Sequence, residues 1–334
     1  MLTTFERLHP AVSPRPLHQA LPVARQALPV THDEAVGLID LVGNTPLLRL
    51  RRVTADLPPT VQVLAKAEWF NPSGSIKDRP ALAILTAALP ALRAGRVALD
   101  STSGNMGIAY ATLGRALGVA VKLAIPANVS PERLATLRAL GVDLVLTDPT
   151  EGSDGAIRAA RALAASEPER YLYLNQYDNA ANWRAHFDTT GPEILRQTGG
   201  QVTHFVAGLG TSGTLVGVGR ALRAANRAIA IASVQPETAF HGIEGWKHME
   251  TAIVPGIYDH AVADRHLTVS TEDAHAMTRR LAREEGLFVG ISSGAAVAAA
   301  LELARTLTAG VIVTVLPDSG AKYASDRLWR EGAA

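Results

Sequence analysis

From residue 61 onward, short β-branched runs alternate with longer segments in which alanine and leucine recur at helical spacing, the pattern of strands joined by crossover helices. The pattern predicts strands over VQVLAKAEW (61–69), RVALDST (96–102), VAVKLAIP (119–126) and VDLVLT (142–147). Helices are predicted between and after them, over KDRPALAILTAAL (77–89), NMGIAYATLGRAL (105–117), SPERLATLRAL (130–140) and GSDGAIRAARALAA (152–165). After residues 171–182 the rhythm restarts with THFVAG (203–208), GTLVGVGRALRAA (213–225) and AIAIASVQP (228–236), and near the end come SSGAAVAAALELA (292–304) and GVIVTVLP (310–317). Strands in such a series are expected to pair in parallel, with helices covering the sheet. The expected fold is therefore α/β with two lobes, each built on a parallel sheet, and the cleft between the lobes is the default ligand site. The expected boundaries are a first lobe over 37–182, with 37–50 crossing to the other lobe, and a second over 183–334. Residues 1–36 carry Pro10, Pro14, Pro16, Pro22 and Pro29 and are expected to form an irregular arm.

Composition narrows the chemistry. At 47% hydrophobic and 19% charged over 334 residues, the chain has apolar material enough for a sizeable core. Its 32 basic and 31 acidic residues are interspersed, so no long-range field draws it to nucleic acid or an anionic membrane. The absence of cysteine removes disulfides, thiolate metal sites and cysteine nucleophiles together. The histidines show no paired helical spacing, so a catalytic metal is not indicated. No apolar run approaches the ~20 residues of a membrane span, and the expected location is cytoplasmic.

Four loops carry candidate chemistry. NPSGSIKDRP (71–80) sets Lys77, one of five lysines, where a turn gives way to a helix. GLGTSGT (208–214) lies between a strand and a helix; its glycines permit a tight turn, and the amides of the helix start form an anion site. Thr211, Ser212 and Thr214 add hydroxyl donors, so a phosphate is the expected guest. The same loop satisfies the dinucleotide fingerprint G-x-G-x-x-G, which leaves a nicotinamide cofactor open as a competing reading. STSGNMG (101–107) repeats the helix-start logic with Thr102, Ser103 and Asn105 as polar groups suited to a carboxylate. GISSGA (290–295) is expected to be a further strand-to-helix loop.

At these residues the chain resembles the cysteine synthase and cystathionine β-synthase family of pyridoxal-phosphate enzymes, the group called fold type II. The resemblance runs from LVGNTPLLRL (41–50) to PDSGAKY (317–323), with NPSGSIKDRP, TSGN, NQYDNAANWRAHFDTTGPEI, FVAGLGTSGTLVGVGR and GLFVGISSGAA in the family's order. It implies that Lys77 forms the Schiff base with pyridoxal 5'-phosphate and that Gly210, Thr211, Ser212, Gly213 and Thr214 hold the phosphate. It further implies that Asn105 bonds the ring's phenolic oxygen and that Ser292 faces the pyridine nitrogen. Thr102, Ser103, Gly104 and Gln176 are implied to hold the substrate carboxylate. A serine hydroxyl at the ring nitrogen does not hold it protonated, which suits β-elimination and replacement better than transamination.

The activity so implied is cysteine synthesis, the β-replacement of an activated L-serine by a sulfur nucleophile with Lys77 carrying the α-proton. O-acetyl-L-serine is the family's common donor, while some relatives take O-phospho-L-serine through a cation near the position of Lys247; His241 and His248 are nearby. A homodimer is implied, and docking of a serine acetyltransferase or a sulfur-carrier protein is left open. Met106 stands where the family usually has threonine, and Ala180 where it has proline. Cystathionine β-synthase and serine/threonine dehydratase are the alternatives within the family. The nicotinamide-dependent oxidoreductase leaves Lys77 and TSGN without a task, and a scaffold without catalysis would be expected to lose Lys77.

Overall fold

The alternation of strands and helices closes into two sheets in a computed structural model, which describes residues 36–330. In chain order the first elements are β1 (Leu47–Arg49), β2 (Val61–Ala67), α1 (Asp78–Arg93), β3 (Val97–Ser101), α2 (Asn105–Ala116), β4 (Val121–Pro126) and α3 (Pro131–Ala139). They continue with β5 (Asp143–Thr147), α4 (Gly152–Ser166), β6 (Tyr171–Tyr173), α5 (Ala180–Ala185) and α6 (Gly191–Gln197). The rest are β7 (His204–Gly208), α7 (Gly213–Ala225), β8 (Ala230–Pro236), β9 (Arg265–Val269), α8 (Thr271–Glu285), α9 (Ile291–Arg305) and β10 (Gly310–Leu316). The expected arm over 1–36 lies, but for Val36, outside the described residues.

The smaller sheet runs β5-β4-β3-β6, parallel throughout. The larger runs β1-β2-β10-β7-β8-β9 and is parallel except for β1, which pairs antiparallel to β2. The inner strands are buried on both faces: in β10 Ile312 and Val313 fall in two different hydrophobic clusters, as sheets covered by helices on each side require.

Two sequence expectations are corrected. The strand VQVLAKAEW does not belong to a first-lobe sheet. As β2 it pairs with β10 over Val61↔Gly310 to Ala67↔Leu316, so the larger sheet takes residues from both ends of the chain and the boundary at 182 does not separate the sheets. Register with a distant strand, which local periodicity does not encode, decides this. The loop GISSGA also does not follow a strand of either sheet: α9 begins at Ile291 soon after α8 ends at Glu285, where the following Gly286, with φ of +71°, supplies the left-handed stop. Helix α8 itself, started by Ser270 accepting from Asp273 N at 3.0 Å, and the strand β9 before it were not read from the pattern.

Candidate active site

The loops that leave the C-terminal ends of the parallel strands converge on one cleft. Lys77 follows β2, Thr102 to Met106 follow β3, Gln176 and Tyr177 follow β6, Gly210, Thr211 and Thr214 follow β7, and Tyr323 follows β10. Ser292, in the first turn of α9, closes the same cleft.

Lys77 is held by a rigid turn. Gly74 takes φ +77° and its amide donates to Asn71 O at 2.8 Å. Ser73 N donates to Asp78 Oδ2 at 2.6 Å and Ser73 Oγ bonds the other carboxylate oxygen, so the first acid of α1 is tied back to the turn that precedes Lys77. Ile76 N reaches Pro317 O at 2.8 Å, joining the turn to the end of β10. Lys77 is half-buried, and no partner among the described residues hydrogen-bonds its Nζ. Burial lowers its pKa to about 8, with the Asp318 carboxylate acting in the opposite sense.

At the far end, Ser212 adopts φ +67° immediately before α7. Gly213 is required because a Cβ there would lie 2.0 Å from Asn182 Oδ1. Asn182 Nδ2 donates to Thr211 Oγ1 at 3.0 Å and fixes that hydroxyl. Ser212 Oγ donates to Thr211 O at 2.5 Å, which leaves its amide for a ligand, and the Gly213 amide makes only a long contact of 3.5 Å to Thr211 Oγ1. The start of a 13-residue helix, with its amides open and hydroxyls beside them, is chemically suited to a phosphate.

The TSGN loop is braced by its own hydroxyl. Thr102 Oγ1 accepts from Gly104 N at 3.1 Å and Gly107 N at 3.3 Å, which occupies it in shaping the loop. The Met106 side chain is 3% exposed and packs in the core of the smaller lobe, so only its amide is left for a ligand. Gln176 Nε2 donates one hydrogen to Ser101 O at 2.7 Å. Its main-chain amide reaches Asp100 Oδ2 at 3.1 Å, on a carboxyl whose pKa burial pushes up to about 7 against hydrogen bonds from Ser101, Tyr110 and Gln176.

Lys247 lines the cleft, but its Nζ is paired with Asp154 at 2.9 Å and its side chain is only 7% exposed. His241 and His248 are not brought into the cleft lining. Instead His248 Nδ1 meets Thr251 Oγ1 at 3.0 Å and His241 Nδ1 accepts from Ile243 N at 3.2 Å. Two cleft or near-cleft groups escaped sequence reasoning. Arg133, in the first turn of α3, forms an ion pair with Glu244 and stacks over the Tyr323 ring at 5.1 Å. His186, inside the NQYDNAANWRAHFDTTGPEI segment, is buried, with Nε2 3.4 Å from Thr214 Oγ1 and Nδ1 3.0 Å from Thr190 Oγ1. Burial and the charges of Arg79 and Lys77 keep its ring neutral.

The donors at the two ends of the cleft fit a phosphorylated aldehyde. Open amides and hydroxyls lie at the α7 start, an unpartnered amine at Lys77, and the neutral hydroxyl of Ser292 and the amide of Asn105 along the wall. Residues 38–318 match the family model described as pyridoxal-phosphate dependent enzyme. A cysteine synthase of Aquifex aeolicus is 52% identical over 301 residues, covering 88% of this chain and 92% of the relative. Among solved structures, the cysteine synthase of Entamoeba histolytica superposes with a TM-score of 0.85 at 32% identity, covering 96% of each chain. The O-acetyl serine sulfhydrylase isoform 3 of the same organism does so with a TM-score of 0.83 at 33% identity, over 95% of this chain and 97% of that one.

Proposed function

Because this chain belongs to the family of pyridoxal-phosphate dependent enzymes and is a cysteine synthase, we propose that it makes L-cysteine from O-acetyl-L-serine and sulfide. The observation that carries the choice of donor is the neutralisation of the cleft's other cations. Lys247 is paired with Asp154 and Arg133 with Glu244, so a phosphate leaving group would have to break one of these pairs, whereas an acetyl ester needs no cation. The name of the Entamoeba histolytica sulfhydrylase supports the same donor.

The cofactor, when bound, supplies an electron sink for the pair released from a Cα–H bond. In this reading Lys77 Nζ takes that proton in its unprotonated form, which burial favours. Acetate leaves with the electrons of the Cβ–O bond, sulfide forms the Cβ–S bond, and Lys77 returns the proton to Cα. The Ser103 and Met106 amides and the second Nε2 hydrogen of Gln176 hold the substrate carboxylate, in the loop that the Gly104 amide braces through Thr102. Thr211, Thr214 and the amides of Gly210 to Thr214 hold the cofactor phosphate, Ser292 faces the ring nitrogen and Asn105 its phenolic oxygen.

Two measurements test this. The rate at which apoprotein captures pyridoxal phosphate is expected to rise with pH and level off above about 8, the pKa to which burial lowers Lys77. A rate still climbing towards the ordinary lysine value of ~10.4 would remove the desolvated amine from the reading. Asp154→Ala frees Lys247, so the ratio of kcat/KM for O-phosphoserine over O-acetylserine is expected to rise about tenfold, the scale of one charge-assisted hydrogen bond. Wild-type protein that already prefers O-phosphoserine would overturn the choice of acetate.

Among the described residues no helix is long and apolar enough to cross a membrane. The reading extends to a cytoplasmic homodimer, supported by Leu38, Leu41 and Phe70, apolar side chains that stand 43%, 51% and 58% exposed. A monomeric sedimentation coefficient would exclude the dimer.

A further inference from the structure

The segment PDSGAKY puts Pro317 and Tyr323 in the cleft wall, and its other side chains are bonded to both halves of the site. Asp318, fully buried, accepts at Oδ2 from Asn105 Nδ2 at 2.6 Å and from Tyr323 Oη at 2.7 Å. Lys322 Nζ donates to Asn105 Oδ1 at 2.8 Å and to Ser73 O at 3.0 Å. Ser73 belongs to the turn that sets Lys77. Space for the Asp318 carboxylate depends on Gly290, where a Cβ would lie 2.1 Å from Oδ1.

We propose that Asp318 and Lys322 are positioning residues that fix the orientation of the Asn105 amide and tie it to the turn carrying Lys77. A lysine ammonium has donors only, so the Asn105 atom facing Lys322 is Oδ1 and the atom facing Asp318 is Nδ2. Lys322 takes one lone pair of Oδ1 and Asp318 one Nδ2 hydrogen, which leaves the second Nδ2 hydrogen as the donor of this amide. Held in this orientation, Asn105 keeps an Nδ2 donor to present to whatever lies beside it. A flipped amide would set Oδ1 against the Asp318 carboxylate and Nδ2 against the ammonium, losing both bonds. The shared anchor at Ser73 O means that the groups meeting the cofactor at Lys77 and at Asn105 are held by one side chain. This inference rests on the assignment of Asn105 to the ring's phenolic oxygen.

The test compares absorbance spectra of wild-type, Asn105→Ala, Lys322→Met and the double variant, each loaded with pyridoxal phosphate. The tautomer ratio of the Lys77-bound cofactor responds to a hydrogen bond at the phenolic oxygen. N105A is expected to shift the ratio of the two bands, and K322M to shift it in the same direction. The double variant should match N105A alone, because Lys322 acts through Asn105. Affinity for pyridoxal phosphate should fall about tenfold in K322M, and Lys322→Arg, which keeps a donor-only head, should return the spectrum towards wild type. A general loss of packing would not reproduce this pattern. If N105A shifts the bands while K322M overlays the wild type, or if the two shifts add, the positioning role is overturned and the assignment of Asn105 stands. If N105A leaves the bands unchanged, that assignment fails and the inference with it. Should K322M not fold, Lys322→Gln takes its place with the same outcomes.

Discussion

Replacing Lys77 with alanine is expected to lower the turnover of O-acetylserine and sulfide by about 10²- to 10⁴-fold, the range set by loss of a positioned acid–base group, while the protein stays folded. Lys77 makes no side-chain hydrogen bond among the described residues, so its removal breaks no structural contact of that kind, and the turn before it is held by Ser73 and Asp78. The sign of the stability change follows from the lowered pKa. Folding favours the neutral amine, so below pH about 8 the folded apoprotein carries the cost of a desolvated ammonium. That cost is relieved as pH rises through the folded pKa towards the unfolded one. Lys77→Ala apoprotein should accordingly melt at or above the wild-type temperature at neutral pH, and pyridoxal phosphate added to it should come away on gel filtration. Activity within tenfold of wild type would end the assignment of Lys77 as the proton carrier.

The largest loss of stability is expected two residues further on. Arg79 is 3% exposed and forks between two buried carboxylates, with Nε 2.7 Å from Glu68 Oε2, Nη2 2.9 Å from Glu68 Oε1, and Nη1 2.7 Å and Nη2 2.8 Å from the two oxygens of Glu193. Lys66, fully buried in β2, adds a third contact at 2.6 Å to Glu193. Burial works against the Glu193 carboxylate, but Arg79 and Lys66 outweigh it and bring its pKa down to about 2. The cluster joins β2, the start of α1 and α6. Arg79→Leu leaves Glu68 without its bidentate partner in a dry site, a change that costs about 3–5 kcal/mol and lowers the melting temperature by roughly 10 °C. Arg79→Lys should recover only part of the loss, since one ammonium cannot serve two carboxylates in fork geometry. The exposed pair of Arg305 with Asp56, at 3.2 Å with both side chains more than half exposed, is the control: Arg305→Leu should cost about 0–1 kcal/mol. Equal melting temperatures for the Arg79 and Arg305 variants would show that the buried cluster does not brace the fold.

What the sequence determined by itself is whatever a short window of chain encodes. The pattern gives α7 at its observed bounds, Gly213–Ala225, and places β3, β4 and β5 within two residues at each end, because periodicity and branched side chains act over one element's length. The loop from Gly208 to Thr214 is legible for the same reason: backbone freedom, hydroxyls and a helix start are neighbours in the chain. Tertiary structure alone decided which strands share a sheet and which charges are free. β2 joins β10 through pairing that no local signal reports. Lys247 reads from sequence as an available cation and turns out to be neutralised by Asp154, 93 positions away. Arg133 finds Glu244 at a separation of 111, and Asn105 has its amide set by Asp318 and Lys322 at separations of 213 and 217. The physical reason is that a side chain's identity fixes what it can donate or accept, whereas its burial, and the partner that satisfies it once buried, depend on segments brought together only by the fold.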